Sequence, residues 1–400
     1  MDRRQFLLSS AAAVAAAAPA RAMLVTPDEA RKRKKLRVGI IGCGRMGQYF
    51  AEVYRALPDT EIVAIAEWND DRRKVVGERF GVKALFKDVN AMLREVVPDI
   101  AAVITPTKFM KEAVIACAEA GVKGVSTDKP IAAKLADADA MVDTCKKRDV
   151  VLAGGNLQRA MWEVQQAAAR LRAGDYGQLQ GTALHRFGGE ISGGGCQHCS
   201  VLRLLTGAEV SEVVAWGQPA EALAGDTDEG LEINGVFRMT SGIDCQVFGK
   251  ETPYRGIDVW TGDTLVRWDW APPQIFRGTQ ASGTPTSGAR EEIDPQYPAF
   301  PWKYILDRPV LRNTDNYLVA SIRSFVDAVF TGSGLFVSGH DLRQALEIAI
   351  ASKLSAQLGN QPVKLPLEDR SLTLYPRPYR WLGGDVTGRP QTSDEASGKP

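Results

Sequence analysis

The chain has 400 residues, 44% of them hydrophobic and 24% charged, which excludes a disordered or fibrous protein and suits about two to three domains. The 49 Lys and Arg against 48 Asp and Glu leave a net charge of +1, so there is no broad field to hold a polyanion and no nucleic-acid partner is expected. Six cysteines are too few for a disulfide scaffold.

The chain opens Met1-Asp2-Arg3-Arg4-Gln5-Phe6-Leu7, runs through an Ala-rich apolar stretch to Ala18 and reaches Pro19-Ala20-Arg21-Ala22. A positive start, an apolar centre and an A-x-A site are the parts of a secretory signal, and paired arginines before Phe and Leu point to twin-arginine export. The apolar run is too short to serve as an anchor across about 30 Å of hydrocarbon. Residues 1–22 are therefore expected to be removed after passage through the twin-arginine machinery. The folded protein is then periplasmic or secreted and keeps no membrane anchor. Residues 23–35, with Arg31-Lys32-Arg33-Lys34-Lys35, read as a solvated, mobile basic lead-in.

From there apolar runs alternate with helical spacing. Strands are expected at 36–41, 61–66, 100–105, 124–126 and 150–153, and helices at 46–57, 72–80 and 108–120. This alternation indicates βαβ units on a parallel sheet. After about residue 155 the pattern changes: a helix at 162–173, then strand-like runs at 236–239, 245–248, 257–260 and 264–270, which suit a mostly antiparallel sheet. Residues 272–302, rich in Pro, Gly, Ser and Thr, read as a long surface loop. Helices follow at 317–330 and 341–358, and the polar stretch 383–400 reads as a flexible tail.

Between the first strand and first helix stands Gly42-Cys43-Gly44-Arg45-Met46-Gly47, a G-x-G-x-x-G run in the context its physics requires. Gly42 suits the tight turn, Gly44 the close approach of backbone to a diphosphate, and Gly47 the packing of helix on strand. Glu67 ends the second strand, where a carboxylate accepts hydrogen bonds from ribose hydroxyls and repels a 2′-phosphate. NAD is the expected cofactor. NADP stays open because Asn69, Arg72 and Arg73 follow directly and could hold a 2′-phosphate.

Further stretches carry a resemblance. Ile104-Thr105-Pro106-Thr107, Val125-Ser126-Thr127-Asp128-Lys129-Pro130, Gly154-Gly155-Asn156-Leu157-Gln158-Arg159, Gly174-Asp175-Tyr176-Gly177-Gln178-Leu179 and Ser338-Gly339-His340-Asp341-Leu342-Arg343-Gln344-Ala345-Leu346-Glu347 are similar to motifs of the glucose-fructose oxidoreductase, inositol dehydrogenase and rhizopine-catabolism family, Gfo/Idh/MocA. The likeness runs from about Leu36 to Pro366. It implies an α/β protein: a Rossmann NAD(P)-binding domain over 36–155, then an α/β domain over 156–382 with a large, mostly antiparallel open sheet. It also implies a homo-oligomer, dimer or tetramer, and nicotinamide-dependent oxidation or reduction of a sugar or cyclitol. In that picture Thr105, Pro106 and Asp128 join Gly42, Cys43, Gly44, Arg45, Met46, Gly47 and Glu67 around the cofactor. Lys129, in Asp-Lys-Pro where the family commonly has Glu-Lys-Pro, both contacts the cofactor and shares the proton of the reacting hydroxyl.

The family's second motif, Asp-x-Gly-x-His-x-x-Asp, is not preserved. Counted back from Leu205-Thr206-Gly207, its acid, histidine and second acid fall on Gly193, Gln197 and Ser200, and the histidine after the Thr-Pro turn falls on Met110. A slip of one residue brings His198 to the site as the candidate base, while Arg159, Arg186 and Gln197 are candidates for substrate contact. Cys196 and Cys199 are packed thiols or a local disulfide ahead of a metal site, and no metal is expected. Scarcity of free cofactor outside the cytoplasm favours a tightly held dinucleotide. Glycoside cleavage through transient oxidation and non-catalytic saccharide or partner binding are the alternative functions.

Overall fold

The computed structural model describes residues 24–250, 252–278, 290–306 and 315–376. The expected export signal, the tail and the middle of the 272–302 segment lie outside these residues. The first body is a six-stranded parallel sheet of β1 (Leu36–Ile41), β2 (Thr60–Ala66), β3 (Leu85–Phe86), β4 (Ile100–Val103), β5 (Gly124–Thr127) and β6 (Val151–Gly154), in the order β3-β2-β1-β4-β5-β6. β4 and β5 are buried at every residue and β1 at all but Arg37, the signature of strands covered on both faces. The strand order reverses at β1, so the crevice beyond its C-terminal end is where a dinucleotide sits in this kind of sheet.

The second body is a nine-stranded sheet. It comprises β7 (Gly181–His185), β8 (Val210–Gln218), β9 (Glu232–Met239), β10 (Asp244–Val247), β11 (Gly256–Trp260), β12 (Thr264–Trp268), β13 (Gln274–Gly278), β14 (Arg290–Ile293) and β15 (Val363–Lys364). The order is β14-β13-β12-β11-β7-β10-β9-β8-β15, and only β7 with β10 is parallel. Residues alternate strictly along β9 and β12. One face sends Phe237, Ile257, Val266 and Trp268 into the core beneath helices Gly195–Thr206 and Gly339–Gln357. The other carries Trp216 and Phe248, which are 50% and 42% exposed.

Three expectations change here. Part of the 272–302 segment is not loop, because 274–278 and 290–293 are the edge strands β13 and β14. The basic lead-in is anchored rather than mobile: Arg33 binds Asp327 at 2.6 Å and stacks over Phe330 at 4.7 Å, while the Val25 carbonyl accepts from the Trp302 indole at 2.7 Å. The chain also returns to its first body. Helix Asp315–Thr331 packs on β5 and β6, where a Cβ on Gly124 would come 2.7 Å from Val329 and 2.8 Å from Phe325. Arg323, fully buried, crosses to Asp59 at 2.7 and 3.0 Å and to Asp327 at 2.8 Å.

Candidate active site

The glycine run folds as its sequence requires. Gly42 has φ of +85°, and a Cβ there would meet the Ile104 carbonyl oxygen at 2.4 Å. A Cβ on Gly47 would lie 1.9 Å from the Gly42 oxygen, so strand and helix can approach only without one. Gly44 caps helix Arg45–Ala56, whose free N-terminal amides face the crevice at the end of β1. Gln48 ties the loop down by donating to the Cys43 carbonyl at 2.9 Å.

Glu67, 3% exposed, accepts from the Cys43 amide at 2.7 Å, the Asn69 amide at 3.0 Å and Arg72 at 3.4 Å. Arg73 donates to the Glu67 carbonyl at 2.7 Å and pairs with Asp70 at 2.6 Å. Both arginines that could have served a 2′-phosphate are thus engaged by the chain's own acceptors.

These residues line a groove of about 930 Å³ that runs past Gly42, Gly44, Arg45, Met46, Gly47, Glu67, Thr105 and Pro106 to Asp128 and Lys129. Thr105 Oγ1 and Asp128 Oδ2 are buried along it without hydrogen-bond partners among the described residues, as expected of groups built to meet a bound molecule. Cys43 is buried behind the loop and contributes its backbone. Met110, at the position of the family's histidine, is buried in the groove wall.

A second cavity of about 310 Å³ adjoins the first and shares Arg45, Met46, Asp128 and Lys129 with it. Its remaining wall is Asn156, Glu190, Gly194, Gln197, Arg255 and Trp270. Burial raises the Asp128 carboxyl to about 6, opposed by the charge of Lys129.

The proposed substrate residues divide. Gln197 lines this cavity, with its amide committed to the Gln158 N–H at 2.7 Å and the Asn156 carbonyl at 3.1 Å, so it holds the 156–158 loop in place. Arg159 does not reach the cavity: it binds the Phe336 and Ser200 carbonyls at 3.0 and 2.9 Å and Asp341 at 3.2 Å. Arg186 is exposed and donates to the Thr252 carbonyl at 2.9 Å, away from either wall. His198 needs the clearest correction as a base. One residue past Gln197, it turns to a different face of the helix and is fully buried among Phe187, Trp268 and Trp270, at 6.2, 5.9 and 5.7 Å. Burial, aided by the Arg255 charge, lowers it to about 3, so it stays neutral.

Glu190, Arg255 and Trp270 escaped the sequence reading because they come from three separate connections that only the fold brings together. Cys196 and Cys199 are free, buried thiols on one helix, with Cys196 Sγ donating to the Gly193 carbonyl at 2.8 Å. Among the described residues no cluster of His, Cys, Asp and Glu could hold a metal ion, and no helix is long and apolar enough to cross a membrane.

A parallel sheet with this loop and this groove defines an NAD-binding oxidoreductase of the Rossmann class. Residues 36–155 match the Gfo/Idh/MocA model, an oxidoreductase family with an NAD-binding Rossmann fold. It is 28% identical to myo-inositol 2-dehydrogenase of Thermotoga maritima over 343 residues, 80% of this chain and 96% of that one. It is 24% identical to D-apiose dehydrogenase of Paraburkholderia graminis, covering 82% and 89% of the two chains. The fold matches aldose-aldose oxidoreductase from Caulobacter crescentus with a TM-score of 0.64 at 21% identity, over 83% of this chain and all of the other.

Proposed function

We propose that this protein oxidises or reduces a sugar or cyclitol at a hydroxyl or carbonyl carbon, with NAD(H) held tightly enough to accompany it through twin-arginine export to the periplasm. The observation that carries this reading is the position of Lys129, on the wall shared by a groove of dinucleotide size and a cavity of monosaccharide size. Gly42, Gly44, Arg45 and Gly47 would hold the diphosphate, and Glu67 a ribose. NAD supplies hydride acceptance and donation. In reduction the Lys129 ammonium donates a hydrogen bond and then its proton to the carbonyl oxygen, and in oxidation the neutral Lys129 amine takes the hydroxyl proton; Asp128, which donates no charge to the cavity until deprotonated, is the nearest acid in sequence to exchange that proton. Gln197 fixes the loop bearing Asn156, and thereby that part of the cavity wall.

Names of relatives support a small polyol: the Thermotoga protein is a dehydrogenase of myo-inositol and the Paraburkholderia protein one of D-apiose. The exposed apolar side chains on the outer face of the nine-stranded sheet support a homo-oligomer that covers this face.

The test is to purify the exported protein without added cofactor, measure its mass by light scattering, then denature it and identify released dinucleotide. Stoichiometric NAD, a mass of two or four chains, and absorbance at 340 nm on adding one member of a panel of inositols, aldoses, aldonates and uronates are expected. A protein that neither carries nor takes up dinucleotide would remove the reading.

A further inference from the structure

Arg255, half-buried, is unlike the arginines that the fold pairs with acids. Arg159 and Arg203 share Asp341 at 3.2 and 2.9 Å, and Arg323 holds Asp59 at 2.7 Å. Among the described residues Arg255 makes no such ion pair, and its buried Nε has no hydrogen-bond partner. Its guanidinium carbon instead lies over the Trp270 ring, 4.4 Å from the centroid, a contact that holds the group while using none of its N–H donors. Room for it comes from the glycine run: a Cβ on Gly194 would stand 2.6 Å from Arg255 Nη2. Arg255 thus reaches the small cavity over the same segment, Gly193 to Gln197, that lacks the family's acid and histidine.

The charges of the wall point the same way. Arg45, Lys129 and Arg255 face Asp128 and Glu190, so cations outnumber acids. Burial lowers the Arg255 guanidinium from its usual value, opposed by the charge of Glu190. A planar guanidinium with unused N–H donors, held over an aromatic ring in a partly buried cavity, is the arrangement that binds a carboxylate through two parallel N–H···O bonds.

We propose that Arg255 is a carboxylate receptor, so that the sugar taken by this site is an acid, an aldonate or a uronate, and not a neutral sugar. This deepens the oxidoreductase reading and rests on it for the identity of the cavity as the substrate site.

The test uses the full protein loaded with NAD and calorimetric titration with D-glucuronate, D-galacturonate, D-gluconate and D-glucose 6-phosphate. The uncharged control is D-glucuronamide, which matches glucuronate in size. The acid is expected to bind at least tenfold more tightly than the amide. R255Q should bring that ratio below threefold, and R255K should fall between. Equal binding of acid and amide, a ratio unchanged in R255Q, or no binding of any acid would overturn the proposal. Tighter binding of glucose 6-phosphate than of either uronate would overturn the carboxylate assignment. If R255Q does not fold, the acid and amide comparison in the unaltered protein decides alone. Acid-selective binding with no NADH formed from any sugar would sink the oxidoreductase reading and leave the receptor standing, so the two failures are distinct.

Discussion

Lys129 lies on the wall that both cavities share, and its removal should separate binding from chemistry. K129M keeps the length of the side chain and loses its proton. The turnover rate is expected to fall by about 10²- to 10⁴-fold while NAD is still bound, read by steady-state kinetics beside calorimetry of the dinucleotide. A loss of dinucleotide binding with unchanged turnover of the loaded fraction would reverse the assignment. His198 makes a different prediction. Its imidazole is about 3 in the fold against about 6.5 in an unfolded chain, so between those values the unfolded state binds more protons. Its share of stability is complete above pH 6.5 and is lost as pH falls toward 3. Urea midpoints should therefore decline more steeply from pH 6 to pH 4 in the unaltered protein than in H198Q, by up to about 1.4 kcal/mol per pH unit. Parallel declines would show that another group governs acid stability. At this scale the cofactor loop was legible because each glycine answers to a local steric demand. The substrate residues were not, since a one-residue step along a helix turns a side chain by about 100°, which sends Gln197 to the cavity and His198 to the core.

Among elements, the βαβ half was readable from its periods. Fully apolar strands and amphipathic helices such as Arg45–Ala56, which buries Phe50, Val53 and Tyr54, leave little ambiguity. The edge of the second sheet was hidden for a physical reason. β14 reads Arg290-Glu291-Glu292-Ile293, with three charged, exposed residues in succession, so alternation is absent. Charge of this kind keeps an edge strand from pairing with another sheet. The return of helix Asp315–Thr331 to the first body was equally invisible, because an apolar helix face does not name its partner. Its buried ion network can be tested directly. R323M leaves the buried Asp59 with only the long Arg33 contact at 3.8 Å and should cost about 3 to 5 kcal/mol, seen as a lower urea midpoint with the dinucleotide groove still formed in the folded fraction. A midpoint within error of the parent would mean that Arg33 alone compensates Asp59.

For the whole molecule, the two bodies share a wall rather than merely touch. Lys129 belongs to the first body, Arg255 and Trp270 to the second, and Gln197 reaches back to the loop that joins them. The chemistry proposed here therefore needs both. The packing of helix Asp315–Thr331 on β5 and β6 and the link from Arg323 to Asp59 carry a consequence for synthesis. As the ribosome delivers the chain, the first 155 residues emerge long before the helix that covers one face of their sheet. The nascent nucleotide-binding body must wait with that apolar surface bare, and becomes whole only when nearly the entire polypeptide has been made.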